Sequence, residues 1–561
     1  MRSTFMGLEA SKKGLFVQQS ALYTTGHNIA NTNTEGYSRQ RVNMQPTAGY
    51  PHAGLNTPTY PGYLGTGVEA SSVQRIRDEF IDRQYRQETN KLGYWESTLN
   101  SINQMEDILS EPSEFGINQA FTEFWESFQD LSVQPTDSAA RKVAVARAES
   151  LAEAFNYNYT QLETIQGNLG NEIAVSTKQI NTILEKIAAI NDQVKALEPN
   201  GFVTNDLYDA RDLLVDELNE YIPVSIERVP SGGLASEVAE GSLKIIYQGV
   251  TLVDGRYHGN VAVNGATGQI NGAIEADGQY DLFTNFSVTG VDVNGQLTGP
   301  TNFNYGQIES AHPSRGKLVA LIDAYGHADQ DRNGSNGIYP DMLAQLNKVA
   351  ETFVNVFNQA HKAGYTLTNG ANPSQQGGDF FKLLAPTPPA TAIPVAKAIT
   401  VEQTIIDDPS LIAASTRPDE EGNGRWALEL SNMQFTNISG SFTFGAGLVP
   451  SALNAPNTDG ITINIPNGGT GLDGFTFQSY YTGMIGDLAV LGDQAITNQF
   501  NAETQMITIS NARSSMNSVS LDEEMTNMIT FQQAYNANAR MITVVDETLD
   551  KIINGMGRVG L

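Results

Sequence analysis

The stretch that most restricts this fold is its last forty residues. Leu521, Met525, Met528, Phe531, Tyr535, Ala539, Ile542, Val545, Leu549, Ile552 and Met556 follow one another at steps of three or four, 3.5 on average. That is the period of a seam that supercoils with a partner helix, not of a helix lying on a broad core. Ser520 with Glu523 forms a capping box at the start, and Asn554-Gly555 supplies a stop. At 1.5 Å per residue such a helix is roughly 54 Å long and needs a partner along its length. The other end of the chain offers one. Leu8, Leu15, Leu22 and Ile29 are spaced by seven, with Phe5, Phe16 and Tyr23 near the same stripe. The termini are therefore expected to meet. They can do so as an intramolecular pair on an ordinary domain, or by pairing with copies of the chain in an assembly. The second is the expectation adopted here.

With 561 residues the chain can hold three to five domains. Thirty-three basic against 62 acidic residues give a net charge of −29, which argues against nucleic acid or an anionic membrane as partner, since both need clustered Lys and Arg. Charged residues are 17%, with neutral polar residues in their place; such surfaces suit protein–protein contact because fewer charges must be desolvated. With no cysteine, disulfides, thiolate metal sites and cysteine nucleophiles are ruled out. No run of eighteen apolar residues spans a membrane, and the N-terminal stretch has no apolar core of a Sec-type signal, so export would need another route.

In chain order, a first helix ends near Ala30 and is followed by an Asn/Thr/Gly turn. Residues 43–70, with four prolines, read as irregular extended chain. Helix returns at Ser72 and runs to about Leu109, before Pro112. Thr136-Asp137-Ser138 then caps the longest helical stretch, which Gly167 and Gly170 are expected to kink. Glu198-Pro-Asn-Gly201 turns the chain, and Asp206–Tyr221 is a further helix. From Pro223 the period changes to two, with turn signals at Asp254-Gly255, Asn264-Gly265, Asn271-Gly272, Asp277-Gly278 and Asn294-Gly295, the mark of a small antiparallel β domain. Helix resumes at Gly316–Asp323 and Pro340–Ala363; residues 367–473 read as a second β-rich or irregular region with turns at Asp459-Gly460, Asn467-Gly468 and Asp473-Gly474. Helix 478–517 leads, with a break near Ser518, into the terminal helix. The expected fold is α+β and multidomain: a long α-helical hairpin or coiled-coil frame formed by the N- and C-terminal parts, with inserted antiparallel β domains. Its units are 1–70 with 515–561 (terminal coiled coil), 71–222 with 313–366 and 474–514 (helical bundle), 223–312 (β insertion) and 367–473 (second insertion).

Chemical motifs are sparse. Asp329-Gln-Asp331-Arg-Asn333-Gly334 resembles half of an EF-hand loop, but Pro340 stands where the bidentate Glu belongs, so a plain Asx-rich turn is expected. The six histidines make no His-Glu-x-x-His pair, and neither a Gly-x-Ser-x-Gly elbow nor a phosphate-binding loop is present. Asp206, Asp209, Asp212 and Asp216 share a helix face with Arg211, a spacing compatible with acid–base work but read here as a solvated face. Catalytic, cofactor and metal residues are expected to be absent.

Two segments at opposite ends carry a family resemblance. Gly26-His-Asn-Ile-Ala-Asn-Thr-Asn-Thr-Glu-Gly-Tyr-Ser-Arg-Gln-Arg-Val42 resembles the N-terminal signature of bacterial flagellar rod, hook and hook-associated proteins. Val519-Ser-Leu-Asp-Glu-Glu-Met525, Phe531-Gln-Gln-Ala-Tyr535 and Arg540-Met-Ile-Thr543 resemble their C-terminal signature. Ser38-Arg39-Gln40, Asn205-Asp-Leu-x-Asp-x-Arg-Asp212, Phe357-Asn-x-x-His-Lys-x-Gly364, Gly378-Asp-Phe-Phe381 and Ile485-Gly-Asp487 look like the hook-associated branch. The resemblance implies a structural role at the junction of hook and filament, with copies of the chain in a ring or helical array, neighbouring hook and filament-side hook-associated proteins, and an export chaperone as partners. It implies export without a cleaved signal through the flagellar type III apparatus to an extracellular site. It also implies terminal helices that are largely disordered in the monomer and form the inner tube on assembly. On this resemblance Leu8, Leu15, Leu22, Ile29, Phe531, Tyr535, Ile542, Val545, Leu549 and Ile552 pack subunits, and Asn28, Asn31, Gly36 and Tyr37 shape the turn that leaves the inner helix. A flagellar hook protein, or a secreted adhesin carried on axial-type termini, are the other readings.

Overall fold

A computed structural model describes residues 5–50, 65–109, 116–273, 280–310, 315–328, 335–368, 373–383, 393–444, 461–464 and 471–555. The Asp329–Asn333 loop, the turns at Asp277-Gly278, Asp459-Gly460 and Asn467-Gly468, and Met556 lie outside them.

Helix α1 (Phe5–Ala30) leads into an antiparallel hairpin, β1 (Gln40–Pro46) with β2 (Val68–Arg75), bulged at Asn43/Met44. This corrects two expectations, since residues 43–46 and 68–70 are strand and residues 72–75 are not helix. Val42 faces Val73 across the pair, and the Asn43 amide donates to Ser72 Oγ at 2.9 Å. Helix starts only where Asp78 can cap it, accepting from the Phe80 N–H at 2.8 Å. There α2 (Glu79–Leu109) begins, followed by α3 (Ile117–Val133), α4 (Ser138–Leu197) and α5 (Asn205–Tyr221).

The 60 residues of α4 span about 90 Å. The Asp137 carboxylate caps it by accepting from the Ala139 N–H. Gly167 and Gly170 do not interrupt it. They are glycines because the β insertion touches the helix there: a Cβ on Gly170 would lie 2.7 Å from Gly272 Cα, and one on Gly167 would overlap the Tyr280 hydroxyl.

The insertion holds two antiparallel sheets. One is β3 (Ser225–Val229), β4 (Ser242–Tyr247), β5 (Val250–Asp254) and β6 (Tyr257–His258); the other is β7 (Asn260–Asn264), β8 (Asn285–Thr289) and β9 (Thr301–Phe303). Turns at Gly255, Gly272 and Gly295 use positive φ, as their Asp-Gly and Asn-Gly signals predict. Then follow α6 (Tyr305–Ser310), α7 (Gly316–Tyr325), the short pair β10 (His327–Ala328) with β11 (Ser335–Asn336), and α8 (Ile338–Ala363).

The second insertion is less β-rich than its composition suggests. Strand β12 (Phe381–Leu383) pairs with β13 (Ile399–Val401), and β14 (Ser441–Phe444) with β15 (Ile461–Asn464). Between them lie α9 (Val395–Ala398), α10 (Gln403–Asp407) and α11 (Arg425–Asn432). Gly377 and Gly424 serve as close-packed anchors rather than hairpin turns. A Cβ on Gly424, for example, would collide with the Ser132 carbonyl.

Helix α12 (Phe477–Asn517) returns antiparallel along α2, meeting it at Ile102–Gly492, Thr89–Met506 and Asp82–Arg513, and α13 (Leu521–Gly555) follows after three residues. One contiguous apolar core runs from Tyr94 to Ala495, taking in α2–α5, both insertions, α7, α8 and the first half of α12. At its centre Phe121, Phe124, Trp125, Phe128, Phe353, Phe357, Phe380, Phe381 and Phe477 pack ring against ring. Helices α1 and α13 are outside that core.

Two of the family-like motifs meet in this core. The Asn358 side chain accepts from the Phe380 and Phe381 N–H groups and donates to Phe381 O, while Gly364 leaves room for Trp426, whose indole donates to Ala360 O. The fully buried His361 donates from Nδ1 to Gly378 O at 2.8 Å and accepts at Nε2 from the Ala413 N–H at 2.9 Å. Burial lowers its pKa to about 4. The unfolded chain then binds the proton first, near pH 6.5. Stability is complete above that pH and is lost as pH falls toward 4, by about 2 kcal/mol between pH 7 and 5. His361→Gln keeps a donor and an acceptor; urea unfolding at the two pH values should show a flatter pH slope for it than for the parent.

Candidate assembly surface and its joint

Helices α1 and α13 pair antiparallel within one chain. The register is read from three contacts. Asn28 donates to Glu524 Oε2 at 3.1 Å, a Cβ on Gly14 would lie 2.9 Å from Asn538 Oδ1, and one on Gly7 would lie 3.9 Å from Val545 Cγ2. These contacts step by two heptads and then one along each helix, in opposite directions. The line of closest approach on α1 is therefore Gly7, Gly14, Ala21 and Asn28, one residue before the expected Leu8, Leu15, Leu22 and Ile29. Small residues let the two backbones approach, and the four larger residues flank the line, half-buried. On α13, Phe531, Tyr535, Ile542, Val545 and Leu549 are half-buried in the seam, whereas Ile552 is exposed. Reading only the large apolar residues missed this line; the signal was a small residue at every seventh position.

Apolar surface remains on the outside of the pair. Phe5, Phe16 and Tyr23 share the face of α1 turned away from α13, with Tyr23 79% and Phe16 55% exposed. On α13, Leu521, Met525 and Ile529 flank one side of the seam in its first half, and Met541, Val544 and Ile552 the other side in its second half, all exposed. Such a concentration of exposed large apolar side chains on one helix pair points to a binding role.

The turn residues form a fully bonded knot at the base of the pair. Asn28 is buried; its amide donates to Gln40 O at 2.9 Å and its oxygen accepts from the Gln40 N–H and the Tyr37 hydroxyl. Asn31 donates to His27 O and accepts from Thr34, and Gly36 takes φ +76. Burial, and then Asp206, Asp209 and Glu524, push the Tyr37 phenol up, so it stays a neutral donor. Arg39 binds Glu524 Oε1 at 2.8 Å and also pairs with Glu523, while its N–H donates to Asn517 O. The expected capping box is thus half formed: Ser520 Oγ accepts from the Glu523 N–H at 3.5 Å, and the Glu523 side chain turns to Arg39 instead.

Below the knot lies the carboxylate series of α5. It is not the solvated face expected from sequence. Asp209, Asp212 and Asp216 are buried and Arg211 is fully so. Arg75 donates to Asp209 at 2.7 Å and Asp212 at 2.9 Å and pairs with Glu240. Arg77 bridges Asp212 and Asp82, and Arg86 and Arg513 both bind Asp216 at 2.7 Å. Burial pushes the Asp212 carboxyl up, but Arg77, Arg75, Arg86 and Arg211 outweigh it and hold it well below the usual carboxylate range. Burial wins at Asp209, whose pKa is raised against the pull of Arg75. With Asp209, Asp212 and Asp216 so committed to guanidinium groups, the buried part of the cluster holds elements together, while Asp206 stays exposed and accepts from Gln40. The arginines that complete it come from segments up to some three hundred residues away, which no local spacing reveals.

A family model described as the flagellar hook-associated protein FlgK helical domain matches residues 102–381, and one described as the flagellar basal body rod FlgEFG protein C-terminal matches residues 512–555. The chain is 35% identical to flagellar hook-associated protein 1 of Bacillus subtilis over 99% of both chains. It is 25% identical to the Escherichia coli protein of the same name over 96% of this chain and 98% of that one. In fold it is similar to a solved structure titled the flagellar hook junction protein FlgK from Burkholderia pseudomallei, with TM-score 0.52 and 13% identity over 78% of this chain and all of the other.

Proposed function

This chain belongs to the family of flagellar hook-associated protein 1, and from that premise we propose that it is the structural piece joining the flagellar hook to the filament, with the α1–α13 pair built into the axis. The observation that carries the reading is a helix pair whose inner seam is closed while its outer faces stay apolar and open. Copies of the chain in a ring or helical array cover those faces. Burial of that surface offsets the ordering entropy of long helices that have marginal stability alone.

The packing residues then divide into two sets. Leu8, Leu15, Leu22, Ile29, Phe531, Tyr535, Ile542, Val545 and Leu549 hold the pair together, and Phe5, Phe16, Tyr23, Met525, Met541 and Ile552 meet neighbouring subunits. The knot of Asn28, Asn31, Gly36 and Tyr37 sets where the chain leaves α1. Two working units fit the packing better than four. One is the terminal unit, α1 with the β1–β2 hairpin and α13; the other is a body in which both insertions share the core of the helical frame. The role is structural and has no catalytic step. The chain reaches its place through the flagellar export apparatus with a chaperone, and its neighbours are the hook protein on one side and a filament-side hook-associated protein on the other. Among the described residues no helix is long and apolar enough to cross a membrane.

Immunogold labelling of intact flagella with antibody against residues 223–312 tests this reading. The expected result is a narrow band where hook meets filament. Label along the whole hook would make the chain a hook protein, and label along the filament or only on secreted material would return the adhesin reading.

A further inference from the structure

The packing of α1 on α13 repeats every seven residues on both helices, so its apolar part fits equally well after a slip of one heptad. On α1 the close line runs through Gly7, Gly14 and Ala21; on α13 Phe531, Tyr535, Ile542, Val545 and Leu549 recur at the same steps. Helix ends fray and rewind, so the connections at residues 31–39 and 518–520 leave the alignment open. Two polar side chains in the seam do not repeat. Asn538 lies flat on the backbone of Gly14, where a Cβ would sit 2.9 Å from its Oδ1 and 3.0 Å from its Cγ and Nδ2. Glu524, 2% exposed, accepts from Asn28 at 3.1 Å and from Arg39 at 2.8 Å. A slip one way carries Asn538 from Gly14 to Ala21, whose Cβ takes the space that the amide needs. A slip the other way carries Asn538 to Gly7, which admits it, but brings Glu524 opposite Ala21, inside the seam and away from both Asn28 and Arg39. A buried carboxylate that loses its partners is strongly disfavoured.

We infer that Asn538 and Glu524 are positioning residues that set the register of the terminal pair: each bars a one-heptad slip of α13 along α1 in one direction, and together they leave a single alignment. The inference concerns the pair as it stands in the assembled state and holds whether or not the helices are ordered beforehand. The need of an array for one alignment rests on the function proposed above; the register itself does not. A polar residue at a seam position selects register at some cost in stability, because the wrong alignments leave it crowded or unpaired. One heptad is about 10 Å of helix. Copies in mixed registers would present their outer apolar faces at different heights and could not cover one another. The large apolar residues supply adhesion, and these two polar ones supply the choice among alignments that adhesion alone leaves equivalent.

The chain has no cysteine, so engineered pairs are its only source of disulfides. Three pairs are compared after oxidation of intact flagella, with the linked peptides counted by mass spectrometry. Gly7→Cys with Val545→Cys reports the observed alignment, since a Cβ on Gly7 lies 3.9 Å from Val545 Cγ2. Gly7→Cys with Ile552→Cys reports the slip that Asn538 bars, and Val17→Cys with Met528→Cys the slip that Glu524 bars. In the otherwise unchanged chain only the first pair should link. Asn538→Ala should raise the link between positions 7 and 552 about tenfold and leave that between 17 and 528 at background, and Glu524→Ala should do the reverse. Ala21→Gly clears the same space with Asn538 intact and should act as Asn538→Ala does. General weakening of the pair would lower the first link without choosing a direction. Slipped links in the unchanged chain, both slipped links rising together, neither rising, or absence of both the Asn538→Ala and the Ala21→Gly chains from the flagella would each overturn the inference. The links report which residues touch wherever the chain sits along the flagellum, so antibody label away from the junction would end the junction reading without deciding the register.

Discussion

Ile542→Asp is expected to remove the chain from the hook–filament junction, with junction label falling at least tenfold, while the body melts as before. Ile542 is half-buried in the seam between the Gly7–Val545 and Gly14–Asn538 contacts. The change removes apolar burial on the order of 1–2 kcal/mol and sets a carboxylate against an apolar helix, a further cost unless the seam opens to water. A two-helix unit outside the main core has no reserve to absorb this. Leu549→Asp should act in the same way. The informative contrast is Met541→Asp. Met541 is 53% exposed in the single chain, so the pair should survive there, as read by helical circular dichroism, and incorporation should still fail because the charge meets a neighbouring subunit. Normal incorporation of Ile542→Asp would remove the seam from the assembly. Normal incorporation of Met541→Asp would remove the outer face.

The sequence made the helices legible because period and caps are local. The 3.5 repeat located α13, Asp137 marked the first turn of α4, and the Asn-Gly turns announced the β insertion. What it hid was set by distant partners. Whether Ser72 to Arg75 are helix or strand depends on residues 40–43 lying beside them, and local propensity does not decide it. Gly167 and Gly170 look like helix breakers until Gly272 and Tyr280 are seen against them. Asp209, Asp212 and Asp216 on α5 look like a wet face until Arg75, Arg77, Arg86 and Arg513 arrive from three other segments; only Asp206 stays exposed. The heptad reading likewise found the right helix and the wrong line on it, because closest packing favours Gly14 and Ala21 over the leucines beside them. The terminal helix pair was legible as a repeat; its division into an inner seam and outer faces required knowing that the two ends pair with each other within one chain.

Phe353→Ala is expected to destabilise the body by about 3–5 kcal/mol, the cost of removing a fully buried aromatic from a core that cannot collapse around the loss. The ring lies 5.3 Å from Phe121, 5.9 Å from Trp125, 5.1 Å from Phe381 and 5.5 Å from Phe477, centroid to centroid. It therefore ties α8 at once to α3, to the start of the second insertion and to the first turn of α12. Edge-to-face pairs of this kind add to simple area burial, and several are lost together. Urea unfolding followed by tryptophan fluorescence is a direct measure, because Trp125 sits in the cluster. Phe435→Ala, at a ring 74% exposed on the same insertion, should shift stability by no more than about 0.5 kcal/mol. An equal loss in both variants would mean that the aromatic cluster is not what holds the insertions to the frame. The expected asymmetry has a functional side. Phe477 begins the helix that carries Arg513 to Asp216 of α5 and Asp82 of α2, so loosening the cluster should also loosen the packing of α12 along the body.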